Sequence, residues 1–372
     1  MISNELIYRG YQQGDERLLK ELCIQVFNEE RSIPDWQWEF MDTPEGPSNI
    51  RVIEDKGAIV GHIALIPIRF QYMDKEIVVG KSEDSSLRED YRGKRLFGKL
   101  EHQCFDEAAE KGYAASYSIS RTANDVHIKA GYHPLKPIEG YFVPLRSDQV
   151  VSELKSAGII SGYQAWFARP LLKVIERRFR RRLERAESPP AGITIERMTR
   201  FTTEFDDLWR RFACQNRVIT IKRSSAYLNW RFNQKPNNEY EIYAARCKGE
   251  LVGYLVCTSV KRKGNFKVDL KIGVTSDFLF LNSHQEVLAP LIYRAANYWV
   301  ECQCDVVINW VHRDSLYAPK MIAQLKKLGL VSMLGKYSIP ISVRALRDEV
   351  SIDYIANERN WFFTLAFSGR WA

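Results

Sequence analysis

The sequence predicts an α/β (α+β) chain made of two tandem copies of one domain. Three observations carry that expectation. At 372 residues the chain is too long for one compact core and fits two domains of ordinary size. A set of residues recurs at one fixed offset. Each half then shows the same order of strand-like and helix-like segments.

The recurrence is direct. Arg31-Ser32, Trp38-x-Phe40, Pro44, Lys56-Gly57 and Val60-Gly61 return as Arg223-Ser224, Trp230-x-Phe232, Pro236, Lys248-Gly249 and Val252-Gly253. No gap is needed to keep them in register. Self-similarity at one offset means two copies of one unit, here domain-sized rather than solenoid-sized.

The first copy opens with a short strand around Leu6 to Arg9 and a helix from Asp15 to Phe27. A second helix carries Trp36, Trp38 and Phe40. A hairpin follows, Ile50 to Glu54 and Ile59 to Ile66, turning at Asp55-Lys56-Gly57. A strand over about Glu76 to Asp84 precedes a helix from about Leu96 to Lys111, with Phe97, Leu100, Cys104 and Ala108 at helical spacing. A strand at Ala114 to Ser118, a short helix ending before Gly131-Tyr132, and strands to Leu145 complete the unit. In the second copy the order repeats: a helix at Glu204 to Cys214, a hairpin turning at Lys248-Gly249, and a strand at Lys267 to Val274. A helix at His284 to Cys302, a strand at Asp305 to Trp310, and a helix at Tyr317 to Leu328 stopped by Gly329 follow. The expected divisions are 1–150, a basic amphipathic linker helix in 151–191, a second unit in 192–346, and an aromatic tail in 347–372.

In the linker, Leu172, Ile175, Phe179 and Leu183 form an apolar stripe opposite arginines, and Ser188-Pro189-Pro190 ends it. A linker helix packed on one domain explains this pattern; contact with an anionic membrane or a nucleic acid is the alternative. The tail holds Trp361, Phe362, Phe363, Phe367 and Trp371 and is expected to dock back on the body.

Composition narrows the function classes. The residues are 45% hydrophobic and 27% charged, as in soluble globular proteins. No apolar run reaches the length of a transmembrane segment, and Met1 to Arg9 lacks the order of a secretion signal, so a cytoplasmic protein is expected. The seven cysteines (Cys23, Cys104, Cys214, Cys247, Cys257, Cys302, Cys304) are scattered singly. They match neither a disulfide framework nor a zinc spacing, and reduced thiols with no metal are expected. The net charge is +8, yet Arg169 to Glu187 alone holds eight basic and three acidic residues. A local charge run therefore accounts for the balance, and nucleic acid is not an expected partner.

The segment that carries chemistry is Tyr91-Arg92-Gly93-Lys94-Arg95-Leu96-Phe97-Gly98-Lys99-Leu100. It joins a strand to an amphipathic helix. Backbone N–H groups at such a helix start, with cations nearby, suit a pyrophosphate. Gly93 lets the backbone approach phosphates closely.

With Asp90 in front, this string resembles the acyl-CoA pyrophosphate loop of the GNAT N-acetyltransferase superfamily. The helix ending at Gly131-Tyr132 is similar to that family's later helix, and Val60-Gly61-His62 sits where the family has its Gly-containing third strand. The resemblance covers roughly Leu6 to Leu145 by motif and about Ile193 to Val343 by element order. It implies two tandem GNAT-like domains, each a mixed, mostly antiparallel sheet splayed at its centre with helices on both faces. The family pattern is Arg or Gln, two residues, Gly, one residue, Gly or Ala. Arg92 fills the first slot, but Arg95 and Phe97 stand where small residues are expected. The equivalent segment of the second copy, Leu281 to Glu286, has no such motif and carries an acid. That copy is expected to form part of the site or of a homodimer without a cofactor of its own.

The resemblance implies acetyl-CoA or another acyl-CoA as co-substrate, held by Leu87, Arg92, Gly93, Lys94, Arg95, Leu96, Phe97, Gly98 and Asn124. An alkylammonium acceptor must lose a proton before attack, and a carboxylate suits that task. Glu83 and Asp84 end the strand that faces the family's cleft. Neighbouring strand residues point to opposite faces, so only one serves unless a bulge intervenes. The slot where the family often has a proton-donating Tyr holds His127; Tyr117 and Tyr132 are weaker candidates. The expected function is N-acyl transfer, with acetyl-CoA as the expected donor, to a small-molecule amine or amino sugar. The alternative is a catalytically degenerate protein of the same fold that binds acyl-CoA or a partner.

Overall fold

A computed structural model describes residues 6–120, 124–185, 189–237, 239–262, 268–333 and 338–368. The first half contributes strands β1 (Ile7–Gly10), β2 (Asn49–Asp55), β3 (Ala58–Tyr72), β4 (Lys75–Leu87), β5 (Tyr113–Ile119) and β6 (His133–Pro144). The second contributes β7 (Ile193–Met198), β8 (Thr220–Ile221), β9 (Tyr240–Cys247), β10 (Glu250–Arg262), β11 (Leu270–Phe280), β12 (Val306–Val311), β13 (Val331–Ser332) and β14 (Ile339–Ala345). They form one sheet in the order β1-β2-β3-β4-β5-β14-β6-β12-β11-β10-β9-β7, with β8 on β3 and β13 on β6. One parallel pair per half, β4–β5 and β11–β12, interrupts otherwise antiparallel ladders.

Helices cover both faces. Alternate residues of β3 serve two cores, as the strand period requires. Ala64, Ile66 and Ile68 share a core with Leu19 and Leu22 of the helix Glu16–Phe27. Val60, Ile63 and Leu65 pack with Leu100, Cys104 and Ala108 of the helix Leu96–Glu110. Both predicted hairpin turns form, with positive φ at both central residues: 52° and 79° at Lys56-Gly57, 51° and 89° at Lys248-Gly249. That is the geometry that matches strand twist in a two-residue loop.

The duplicated residues turn out to be determinants of the fold. Ser32 and Ser224 each cap a helix through the side-chain oxygen, accepting from Asp35 N and Tyr227 N. The arginine before each cap pairs with an aspartate on the bulged strand: Arg31 with Asp84 at 2.8 Å and Arg223 with Asp277 at 3.2 Å. Trp38 and Trp230 meet each other. Their rings stack at 5.2 Å, and each indole N–H donates to the other's main-chain carbonyl, at 2.8 and 3.0 Å. This reciprocal contact marks a pseudo-twofold relation between the halves. A β-carbon on Gly61 would come within 2.9 Å of Ile53, and one on Gly253 within 2.9 Å of Phe280, so both positions need the missing side chain.

Three features depart from the sequence reading. Strand β14 lies between β5 and β6, while β6 pairs with β12, so the halves exchange strands. Strand β11 runs on to Phe280, through Ser276-Asp277, which look like turn residues; Arg223 neutralises the buried Asp277 carboxylate. The helix expected from His284 begins as a 3-10 turn, Asn282–Val287, with non-helical backbone at His284, and becomes α-helical only over Leu288–Glu301. The linker helix is Gly162–Glu184, within the expected 151–191, and Ser161 and Gln164 close a capping box at its start. Its Phe179 is buried, and Arg180 and Arg182 donate to the carbonyls of Leu145 and Lys326, one in each half. The last described segment docks on the body, with Trp361, Phe362, Phe363, Leu365 and Phe367 all buried.

Candidate functional site

The site begins where β4 and β5 separate. Their parallel ladder ends at Ser82 opposite Ser118, while β4 continues to Leu87. Opposite β3 the same strand bulges: Ala64 faces Glu83 and His62 faces Ser86, so two residues, Asp84 and Ser85, oppose Ile63 alone. Asp84 takes a left-handed backbone, φ 51°. The bulge that would let neighbouring carboxylates serve one site is therefore present.

Each carboxylate already has a cationic partner. Glu83 pairs with Lys81. Lys81 lies 3.6 Å from Glu39, and Arg31 lies 3.3 Å from Glu39 and 2.8 Å from Asp84. The result is an alternating chain of three carboxylates and two cations, largely shielded from solvent. Charges at such depth are tolerable only when paired in this way.

Two recesses open at the ends of that chain. One has apolar walls from Leu19, Leu22, Phe27, Ile33 and Trp36 and a polar end made by Arg31, His62, Asp84 and Ser86. The other is lined by residues of both halves, Trp38, Glu39, Lys81, Trp230 and Arg231 among them.

His62 is the residue the sequence reading passed over. It is 3% exposed, and its Nδ1 lies 3.0 Å from the Asp84 main-chain oxygen. A carbonyl only accepts, so Nδ1 must carry the proton and donate it. Nε2 then presents a lone pair, and it has no hydrogen-bond partner among the described residues. Burial pushes this imidazole below its ordinary value of 6.5, a shift that the Asp84 carboxylate partly offsets. The ring is thus neutral at physiological pH and able to take a proton. A histidine amid the apolar run Ile59 to Ile66 was the available signal.

The loop between Leu87 and the helix Leu96–Glu110 forms a short 3-10 turn, Glu89–Tyr91. Gly93 has φ +79°. Arg95 is left-handed at φ 58°, the conformation a glycine would take without strain, and no side chain caps the helix that follows. Its first turn contains no acid. A β-carbon on Gly93 or Gly98 would meet nothing within 4 Å. Arg92, Lys94 and Arg95 are exposed there, while Leu96 and Phe97 pack against the core. Arg92 also donates to Leu87 O at 3.1 Å, and Lys94 to Asp90 O at 3.1 Å. An uncapped helix start ringed by cations fits a diphosphate.

His127 has surroundings unlike those of an acid in a cleft. It is 1% exposed, with Nδ1 2.8 Å from Glu101 Oε1 and the ring 4.9 Å from that of Tyr132. Tyr117 and Tyr132 are likewise buried, bonded to Phe367 O and to Ser116 Oγ, and burial raises both phenols above their ordinary value. Asn124 begins the helix Asn124–Lys129, but its side chain lies outside the described residues.

The second half differs at each of these points. The β11–β12 ladder ends at Gly273 opposite Val307, and the space beyond is taken by the chain's own tail. Leu365 packs on Val274 beside Trp310, and Thr364 Oγ1 donates to Asp277 Oδ1 at 2.6 Å.

Residues 7–135 match the acetyltransferase (GNAT) domain model. This part of the chain is a GNAT domain. Solved structures extend the GNAT fold over nearly the whole chain. A GCN5-related N-acetyltransferase from Anabaena variabilis aligns with a TM-score of 0.59 at 14% identity, over 92% of this chain and 73% of that one. A tandem GNAT protein from the clavulanic acid biosynthesis pathway aligns with a TM-score of 0.56 at 12% identity, over 92% and 99%. Saccharomyces cerevisiae N-myristoyltransferase with bound myristoyl-CoA aligns at 0.58 and 12%, over 92% and 83%. No curated protein matches the sequence. Among the described residues, no helix is long and apolar enough to cross a membrane.

Proposed function

We propose that the GNAT domain transfers an acyl group from acyl-CoA, with acetyl-CoA the simplest donor, to the amine of a small molecule. The reading rests on one juxtaposition: His62, whose buried Nε2 has no hydrogen-bond partner among the described residues, borders a recess beside a strand that has just parted from its parallel neighbour. The diphosphate of the donor would lie on the helix start at Leu96, near Arg92, Lys94 and Arg95. Its thioester would reach the β4–β5 opening past Leu87. The apolar walls of the first recess favour an amine with an apolar body.

In this scheme the acceptor enters as the neutral amine, its ammonium proton having gone to solvent, and His62 Nε2 takes a second proton from the nitrogen as that nitrogen bonds to the acyl carbon. The C–S bond breaks, its electron pair leaves with sulfur, and the imidazolium returns the proton to the thiolate. Asp84 positions His62 through its carbonyl and favours the imidazolium through its carboxylate. Glu83, paired with Lys81, supplies the nearby charge at the opening. His127, held by Glu101, has no step.

Thiol release from acetyl-CoA with a panel of amines tests the proposal. His62→Gln keeps the size and an acceptor atom but takes no proton. It should lower kcat by about 100-fold or more with little change in KM for the amine. The wild-type inflection in kcat below pH 6.5, where protonation disables the imidazole, should vanish in this variant. Unchanged kcat in His62→Gln contradicts the role of this residue. Wild-type protein that binds CoA but releases no thiol with any amine supports instead a non-catalytic acyl-CoA-binding protein.

A further inference from the structure

The helix Gly162–Glu184 carries two apolar stripes, and the fold covers only one. The inner stripe comprises Ala165, Leu172, Ile175, Phe179 and Leu183, buried or half-buried. The outer one is open: Tyr163 is 73% exposed, Trp166 71%, Phe167 52%, Leu171 61% and Val174 42%. Their spacing at i, i+3, i+4, i+8 and i+11 sets them on one side. Ile159, in the preceding turn, adds to this patch at 44% exposure. Tyr163 and Trp166 both pack edge-on against Phe167, with ring centroids 4.8 and 4.6 Å away, so the aromatics form one surface cluster.

Further along, the same side of the helix becomes cationic. Arg177, Arg178, Arg181 and Arg185 are exposed, and no ion pair involves them among the described residues. The other basic side chains are engaged elsewhere: Arg169 and Lys173 with Asp148, Arg180 with Glu176, and Arg182 with the Lys326 carbonyl. The acid Glu184 lies at the edge of this side. The helix is firmly seated, since Glu176 accepts from both the amide and the hydroxyl of Ser147. Its outer face is therefore presented rigidly, with no partner among the described residues.

We propose that this face docks on a lipid bilayer containing anionic headgroups, lying in the interface without crossing it. Tryptophan, tyrosine and phenylalanine partition into the headgroup–acyl boundary, and Leu171, Val174 and Ile159 deepen the contact. The arginine half pairs with lipid phosphates, for which its planar donors suit bidentate binding. A nucleic acid would satisfy the arginines but not the aliphatic side chains. A second copy of the chain would have to cover four arginines with a surface that carries as many itself. The docking face is separate from the acyl-transfer site and does not depend on that reading.

Sedimentation of the full chain with vesicles tests this. One set is phosphatidylcholine alone and the other contains about one-third phosphatidylglycerol. The wild type should partition at least about tenfold better onto the anionic set, with the preference falling in high salt. Trp166→Ser with Leu171→Ser should abolish binding to both sets. Arg177→Glu with Arg178→Glu and Arg181→Glu should remove the anionic preference. All five substitutions lie on the surface, so circular dichroism of both variants should match the wild type. Wild-type partition no higher onto anionic than onto neutral vesicles overturns the proposal. So does a wild-type dimer in solution that the Trp166 variant converts to monomer without any vesicle binding, or tight binding to duplex DNA in place of lipid.

Discussion

A chain ending at Asn360 should lose its cooperative fold. The segment removed contains Trp361 at 2% exposure, Phe362 and Phe367 at 0%, Leu365 at 3% and Phe363 at 6%. Burial of each such side chain contributes about 1.5–3 kcal/mol. Together they amount to roughly 10 kcal/mol, comparable with the whole net stability of an ordinary domain. The loss extends to polar groups. Tyr117, Thr220, Tyr227 and Arg231 donate to the carbonyls of Phe367, Phe362, Ala366 and Ser368, and Arg223 donates to Thr364. Truncation would take an acceptor from each of these buried donors, at about 1–3 kcal/mol for every group left unsatisfied. The segment also fills the opening between β11 and β12, so its removal exposes an apolar wedge. Urea unfolding followed by circular dichroism reads the effect. A truncated chain with an unchanged midpoint would contradict the role given to the tail.

Charge reversal at the loop, Arg92→Glu with Lys94→Glu, should weaken CoA binding by about 100-fold or more while leaving the fold intact. Each cation that contacts phosphate contributes about 1.5–3 kcal/mol through a charge-assisted hydrogen bond. The introduced carboxylates add repulsion at a helix start that attracts anions. Both side chains are exposed, and their recorded bonds are to the carbonyls of Leu87 and Asp90, so little stability depends on them. A fluorescence competition assay with a labelled CoA measures the ratio. Equal affinity in variant and wild type would place the diphosphate elsewhere.

Much of the architecture was legible because it is written in short-range chemistry. Lys-Gly turns, Ser caps and strand-period apolar runs fix local structure within a few residues. The repeated Trp-x-Phe strings look like core or cleft-wall residues in the sequence, and the structure makes them the contact between the copies. The strand exchange of β6 and β14 was hidden, because pairing partners two hundred residues apart leave no local trace. The candidate site divided in the same way. The loop around Gly93 announces itself through glycine and cations in one turn, and Arg95 adopts the left-handed backbone its slot requires. The choice between Glu83 and Asp84 depended on a bulge and on Arg31 and Lys81, which only the folded chain brings near. His62 was named only as part of the Gly-containing third strand and given no chemical role, since nothing local reveals that the Asp84 carbonyl holds one ring nitrogen and leaves the other unbonded. The outer stripe of the linker helix was also missed, although Tyr163, Trp166, Phe167 and Leu171 follow helical spacing. A sequence cannot tell which of two apolar stripes the fold will cover.

Calorimetric titration of the full-length protein with acetyl-CoA tests the central claim most directly. One equivalent per chain is expected, bound at the uncapped start of the Leu96–Glu110 helix, with the heat lost in the Arg92→Glu, Lys94→Glu variant. Absence of binding at millimolar ligand, or two equivalents per chain, would contradict a single diphosphate site in the first half and a second half closed by its own tail.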